Sequence, residues 1–257
     1  MSKNKYSISA SSISPEELYR LYAQAKQRNQ LNKPYTELDY IFDIAANHRS
    51  LFPAIDYKGT ISEEIYVERW VKSYCDAENT LPSQREAKPK GSCSDPALRV
   101  LVQTTQGLTE EQVSIGESNH DLFMAAENLQ GNLLEEYIAN RIRPYGFVWA
   151  NGNVLKAIDF ITTDGSLLLQ IKNKYNTENS SGSDIREGTT IEKWYRLGVR
   201  TVNHQKVPNF KWSELNELIN KYKTEGFDLP PCNMSEDDYR NFLSDAVRRN
   251  PHLLSGD

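Results

Sequence analysis

Residues 153–172 read NVLKAIDFITTDGSLLLQIK, and the reading of this stretch decides the fold. Asp164-Gly165 falls between two apolar runs and predicts a β-hairpin with a type I′ turn, which needs positive φ at both central residues. A two-residue turn there sets Thr163 opposite Ser166, Phe160 opposite Leu169 and Asp159 opposite Gln170. Side chains alternate along a strand. Asp159, Gln170 and Lys172 therefore share one face. Ile158, Phe160, Leu167, Leu169 and Ile171 share the other, which is apolar and packs on a core. A carboxylate, an amide and an ammonium gather on one side of an otherwise apolar hairpin.

One reading of this cluster is an ion pair on an edge hairpin, a common and weak feature. The sharper reading is a metal-dependent phosphodiesterase site. Asp159 binds a hard divalent cation, Gln170 supplies a second oxygen, and Lys172 orients or deprotonates the attacking water and offsets phosphate charge. The segment resembles the D…(D/E)-x-K arrangement of the PD-(D/E)XK nuclease superfamily. It departs from that pattern twice. Ile158 stands where proline is frequent, a minor change. Gln170 stands where an acid is usual, which removes one negative charge from the metal site.

A chain of 257 residues can bury a substantial core, as one large domain or as a domain with an appendage. A hydrophobic content of 38% and a charged content of 25% fit a globular protein, and no apolar run approaches a membrane span. The N-terminus, MSKNKYSISASSIS, lacks the apolar core of a signal peptide, so the cytoplasm is the expected location. Cys75, Cys93 and Cys232 form no CxxC pair, which argues against zinc and against a disulfide framework. His48, His120, His204 and His252 form no ligand-spaced pair and read as surface or capping residues.

The net charge of −5 does not suit a generic nucleic-acid coat. Its distribution does suit a local one. Between Arg141 and Lys211 there are eleven Lys or Arg and six Asp or Glu, a local balance of +5 that leaves −10 for the remainder. The basic excess lies around the hairpin, where a phosphate backbone would need it.

Taken in order, residues 1–13 are polar and read as a frayed end. Ser14-Pro15-Glu16-Glu17 starts a helix that runs to Arg28, with Leu18, Leu21, Tyr22 and Ala25 as its apolar stripe. Further helices are predicted over 36–48 and 62–74. Residues 79–96 carry three prolines and read as a loop, whose Arg85, Lys88 and Lys90 are solvated or touch DNA. A short strand is predicted over 98–102, and a separate turn of helix after Thr109. Ser118 or Asn119 starts a long helix ending near Ile142, before Pro144 and Gly146. Phe123, Leu129, Leu133, Leu134, Tyr137 and Ile138 form its buried face. Glu135 lies on its flank with Gly131 one turn earlier, and the resemblance to PD-(D/E)XK nucleases, whose helices often add an acid to the metal site in that setting, implies the same role for Glu135. Glu136 and Glu127 are the alternatives, and an exposed helix-flank glutamate is the bland one.

Phe147 to Ala150 is the first strand of the core, and the hairpin follows. The tract 173–190, NKYNTENSSGSDIREGTT, leaves the catalytic strand directly. Its Asn176, Asn179, Ser180, Ser181 and Arg186 are placed to meet DNA, since Asn and Arg make bidentate contacts to base edges. Polar turn composition alone would also produce such a tract. Thr189-Thr190 is expected to cap a helix carrying Ile191, Trp194, Tyr195 and Leu197. Lys174, Lys193 and Arg196 join the DNA-binding set, with 199–202 as the next strand. Helices over 213–223 and 235–249 close the chain.

The run ENLQGNLLEEYIANRIRPYGFVWANGNVLKAIDFI, with LLLQIKNKYNTENSSGSDIREGTTIEKWYR after it, resembles the SinI family of type II restriction endonucleases. The likeness covers about Glu127 to Arg196; its most specific parts are AIDFI, the Q-I-K triplet and the NTENSS…IREGT…KWYR tract. The resemblance implies an α/β restriction-endonuclease-like core of αβββαβ order, a mixed sheet flanked by helices. The helical region 1–115 packs on a catalytic and DNA-recognition core at 116–257, or the two form one continuous domain. It implies a homodimer that cuts double-stranded DNA with Mg2+ at a palindromic GGWCC-type site, beside a cognate DNA methyltransferase that protects the host. Asp159, Gln170 and Lys172 then form the active site. The alternatives are a non-cleaving DNA-binding protein of the same fold, or a structure-selective junction nuclease.

Overall fold

The computed structural model describes residues 4–91, 93–174, 191–224 and 229–255. The chain opens with strand β1 (Asn4–Tyr6), which pairs antiparallel with β2 (Ile55–Tyr57). The N-terminus is thus tied down from residue 4, because Ile8 is fully buried among the helices that follow. Those helices are α1 (Pro15–Arg28), α2 (Thr36–Asn47) and α3 (Glu63–Asn79). The hydroxyl of Ser14 caps α1 by accepting from the Glu17 amide at 3.2 Å, with proline in the first turn as expected.

Residues 96–106, expected to hold a strand, form helix α4 (Pro96–Gln106). Asp95 supplies the reason. Its carboxylate accepts from the amides of Ala97 and Leu98, and Pro96 takes the first helical position. The next helix, α5, runs unbroken from Glu110 to Ile142. Thr109 and Gln112 form a capping box at its start, so the turn after Thr109 and the long helix are one element. Phe123, expected inside, is 71% exposed.

The sheet has the order β3-β4-β5-β6-β7: Phe147–Trp149, Phe160–Thr162, Leu168–Lys174, Ile191–Val202 and Gln205–Phe210. Only β5 and β6 are parallel. Where the sequence suggested a helix from Ile191, β6 is a strand. Trp194 and Arg196 point to one side, and Lys193 and Tyr195 stand opposite Gln170 and Lys172 of β5. Helices α6 (Trp212–Tyr222) and α7 (Glu236–Arg249) close the chain. This mixed sheet with helices on both faces is a restriction-endonuclease-like α+β fold, as the sequence implied.

Phe160 pairs with Leu169 in the expected register. The turn differs from expectation. Only Gly165 has positive φ, at 71°, and its amide donates to the Thr162 carbonyl at 3.0 Å. Asp164 stays out of the left-handed region because its carboxylate accepts from the Ser166 amide and hydroxyl at 3.0 and 2.8 Å. The two-residue turn with both residues left-handed occurs instead at Asn203-His204, between β6 and β7.

Both faces of the sheet are buried. Ile161 and Leu168 pack with α1, α2 and α3, whereas Phe160, Leu169 and Ile171 pack with α5, α6 and α7. Ile158 belongs to the first group, not with Phe160 and Leu169 as strict alternation predicted. The cause lies at Asp159. Its amide donates to the Leu169 carbonyl at 2.9 Å, although Leu169 is the register partner of Phe160. Two residues of one strand are set against one of the next, which is a bulge, and bulges re-aim side chains. A half-buried ionic group joins the α1–α3 region to the sheet. Glu78 on α3 binds Arg143 Nη2 and Asn151 Nδ2, both at 2.9 Å, and Lys33 bridges Glu78 and Glu37.

Candidate active site

Asp159 stands at the bulge where β4 leaves β5. Its Oδ2 accepts from the Ile171 amide at 2.6 Å. The carboxylate takes the place a backbone carbonyl would fill in a continued ladder, and Ala157, left-handed at φ 60°, carries the chain away. Burial pushes the Asp159 carboxyl up to about 6, against the Ile171 bond and the nearby Lys172, which favour the anion.

Glu135 reaches the same place from α5. It is held by Trp149 of β3, whose Nε1 donates to Glu135 Oε2 at 3.2 Å. Burial, then the negative charge of Asp159, raise Glu135 to about 8, while the Trp149 bond and Lys172 pull the other way. Two carboxylates and one ammonium therefore act on one another electrostatically, from α5, β4 and β5. A Cβ at Gly131 would meet open space, so no close approach within the chain demands that glycine.

The two alternative acids are engaged elsewhere. Glu136 is 2% exposed, and its oxygens accept from the Ser83 amide at 2.8 Å and the Ser83 hydroxyl at 2.6 Å. It anchors the 79–91 loop to α5. Glu127 is ion-paired with Lys174. Of the three glutamates, Glu135 is the one on which the Asp159 charge acts.

Gln170 is 5% exposed, on the side of β5 that also carries Lys172, with Lys193 of β6 directly opposite. Arg196, expected at phosphates, is 4% exposed and committed to the interior. Its Nη1 binds both oxygens of Glu236 at 2.6 and 2.7 Å, and its Nε donates to Asn173 Oδ1 at 2.8 Å. The Asn173 amide in turn donates to Gln130 on α5 at 2.6 Å. This buried chain ties α5, β5, β6 and α7 together just behind Lys172. Sequence reasoning missed it because Arg196 read as one more basic residue in a basic tract. Asn176, Asn179, Ser180, Ser181 and Arg186 lie outside the described residues.

The Asp159 and Glu135 carboxylates offer hard oxygen donors, the kind a divalent cation such as magnesium takes. Among the described residues no third acidic, histidine or cysteine side chain joins them.

Comparison with known proteins decides the family. The SinI restriction endonuclease family matches residues 50–229. The chain is 31% identical over 234 residues to the type II restriction enzyme Eco47I of Escherichia coli, covering 87% of this chain and 92% of that one. This chain belongs to the SinI restriction endonuclease family. It is also 32% identical over 176 residues to the type II restriction enzyme SinI of Salmonella infantis, covering 67% of this chain and 69% of that one. As a SinI-family member it is a type II restriction endonuclease, a nuclease acting on double-stranded DNA, and enzymes of this type generally use a divalent metal. The family match reaches from residue 50, well before the Glu127–Arg196 stretch that carries the sequence resemblance. No described helix is long and apolar enough to cross a membrane.

Proposed function

We propose that Asp159, Glu135 and Lys172 are the catalytic group, and that it hydrolyses phosphodiester bonds of duplex DNA with Mg2+ at a short palindromic site of the GGWCC type. The observation that carries this reading is the electrostatic cluster itself. Glu135 is buried near enough to Asp159 to feel its charge, and Lys172 offsets the charge of both carboxylates. Asp159 and Glu135, with the Gln170 amide oxygen as a neutral third donor, would hold a hard cation, which when bound would supply Lewis-acid activation of the scissile phosphate and of water. Lys172 holds and orients the attacking water and offsets charge that develops on the phosphoryl oxygens.

Lys174 and Lys193, on β5 and β6, supply phosphate contacts beyond the centre. Asn176, Asn179, Ser180, Ser181 and Arg186 supply base and backbone contacts. The resemblance supports a homodimer, since a two-fold site is most simply read by a two-fold protein. It also supports a cytoplasmic enzyme that works beside a methyltransferase without needing to touch it.

The test is cleavage of a mixed-sequence plasmid with and without Mg2+. Discrete fragments that depend on Mg2+, and that vanish after methylation of GGWCC sites, are expected. Cutting without a divalent cation, or at unrelated sequences, would overturn the metal or the site assignment respectively. DNA that is retarded but intact would leave binding without catalysis.

A further inference from the structure

Helix α4 and the first turns of α5 pack mainly on each other, and α5 meets the 82–90 loop and the C-terminal residues only from about Asp121 onward. Over residues 96–124, Val113 is the one large apolar side chain that is fully buried. Leu98, Val100, Leu101, Leu108, Ile115, Phe123 and Met124 are exposed, at 36 to 71%. These seven are more than half of the exposed large hydrophobics of the described residues. They lie on the two helices of a helical hairpin and, for Leu108, in the turn between them, and Leu98, Leu101 and Ile115 are each more than half exposed. A hairpin that buries so little cannot draw its stability from its own contacts, because helices in proteins are held mainly by packing of an apolar face.

We propose that this hairpin is a pairing arm through which two copies of the chain associate, each laying its α4 and the start of α5 against the other's. Three observations select a second copy as the occupant. The first is area. A buried aliphatic side chain removes roughly 60–120 Å² from water. The seven then offer on the order of 400–800 Å² per copy, comparable with the ~800 Å² that one partner contributes to a standard interface. The second is charge. The arm carries Arg99 as its one Lys or Arg, against Glu110, Glu111, Glu117 and Asp121, so a phosphate backbone is repelled from it. Arg99 is spent on two of these acids, Glu110 at 2.6 Å and Glu117 at 2.8 Å. The third is stoichiometry. Each chain holds one Asp159–Glu135–Lys172 cluster, while a duplex has two strands to cut.

Two helical hairpins packed across a two-fold axis form a four-helix arrangement, a standard way to cover such faces. The same helix continues without a break from Ile115 through Phe123 to Glu135. At 1.5 Å per residue Glu135 lies about 18 Å along the helix from Phe123. An axis at the arm would therefore fix the spacing of the two catalytic centres through one rigid element. The inference rests on the two-fold reading of the DNA site given above.

The test compares the wild-type chain with a Leu101→Asp/Phe123→Asp double variant and with Ile65→Asp, which charges an exposed apolar residue on α3 away from the arm. Sedimentation is run from nanomolar to tens of micromolar, with circular dichroism as a check on folding. The expected outcome is a wild type and an Ile65→Asp protein near twice the 29.4 kDa chain mass, and a double variant at the chain mass with unchanged helix content. At matched concentration the double variant should cut duplex DNA at least tenfold more slowly. Concentration-dependent hydrogen-exchange protection confined to residues 96–124 of the wild type reads the same contact without any substitution.

A double variant that still sediments as a dimer, or protection that appears elsewhere, overturns the arm while leaving the dimer intact. A wild type that is monomeric at every concentration, with and without DNA, overturns both the arm and the two-fold reading. A monomeric double variant that cuts as fast as wild type keeps the arm and removes the need for two copies in cleavage.

Discussion

The Ile171 amide donates to Asp159 Oδ2 at 2.6 Å across the gap that opens where β4 leaves β5. A single side chain thus repairs the edge of the ladder, and in the proposed site its carboxylate would also hold the cation. Asp159→Asn keeps an acceptor for Ile171 and removes the charge. Folding should be retained, and cleavage should fall at least about a hundredfold, on the scale of losing one electrostatic stabiliser of the transition state. Lys172→Ala should lose cleavage on a similar scale while binding to specific DNA stays within a few-fold, since affinity comes mainly from phosphate and base contacts elsewhere. Single-turnover cleavage and gel retardation measure both; normal cutting by either variant removes that residue from the site.

Neighbouring glutamates on α5 separate function from structure. Glu135→Gln should lower cleavage and raise the magnesium needed for half-maximal rate, with little loss of stability. Glu136→Gln should do the reverse. Its carboxylate is buried and takes two bonds from Ser83, and weakening such a bonded buried charge costs about 1.5–3 kcal/mol. Its cleavage rate per folded molecule should stay near wild type. Denaturant melts alongside magnesium titrations check this, and an unaltered magnesium response in Glu135→Gln would return the search to Glu127.

Much of this was legible in the residues, and the failures share a cause. The two-residue turn at Asp164-Gly165 set Phe160 opposite Leu169, as the sheet has it, and Lys172 acts on the Asp159 carboxylate in the fold. Strict alternation then misassigned Ile158, because a bulge has no signature in a pattern of apolar and polar letters. Residues 98–102 read as a strand from their β-branched and aliphatic run, until the Asp95-Pro96 cap is weighed beside them. Trp194 and Tyr195 suit either a helix or a strand, and pairing with β5 decides for the strand. Arg196 looked like a phosphate ligand because sequence shows its charge and not Glu236, forty residues on, which absorbs it.

The two raised carboxyls carry a pH signature. Asp159 sits near 6 and Glu135 near 8 in the folded chain, above the ordinary carboxylate range. A raised acid favours the folded state while both states are protonated, and that contribution is lost as pH climbs through the folded value. The metal-free protein should therefore lose stability between about pH 4 and pH 8, most steeply near pH 5 to 6, where both carboxyls still hold protons that the unfolded chain has released. A divalent cation needs the deprotonated pair, so the melting temperature gained on adding Mg2+ should grow over the same window. Calorimetry from pH 5 to 9, with Mg2+ or with EDTA, reads both slopes. Asp159→Asn/Glu135→Gln should flatten both, and a metal-free Tm that rises steadily to pH 8 in the parent but not in this double variant would contradict the assignment.

Gln170 is where the chain departs from the PD-(D/E)XK pattern it resembles, and its position sets what restoring the acid should do. The side chain is 5% exposed, with Lys193 directly across on β6. An amide oxygen can take a place at a hard cation but brings no charge to it. Gln170→Glu is nearly isosteric, so packing should survive, and a buried carboxylate there would have Lys193 as the nearest strand neighbour to offset it. Without metal the added charge joins Asp159 and Glu135 and should destabilise the fold by about 1–3 kcal/mol, the scale of a buried polar group left imperfectly paired. With metal it should lower the magnesium concentration needed for half-maximal cleavage several-fold. The Gln170→Leu variant should move the same midpoint the other way, because it removes the oxygen and keeps the bulk. Magnesium titrations of single-turnover cleavage across the parent and both variants decide the matter. If all three midpoints coincide, Gln170 is a packing residue and Asp159 with Glu135 holds the cation unaided.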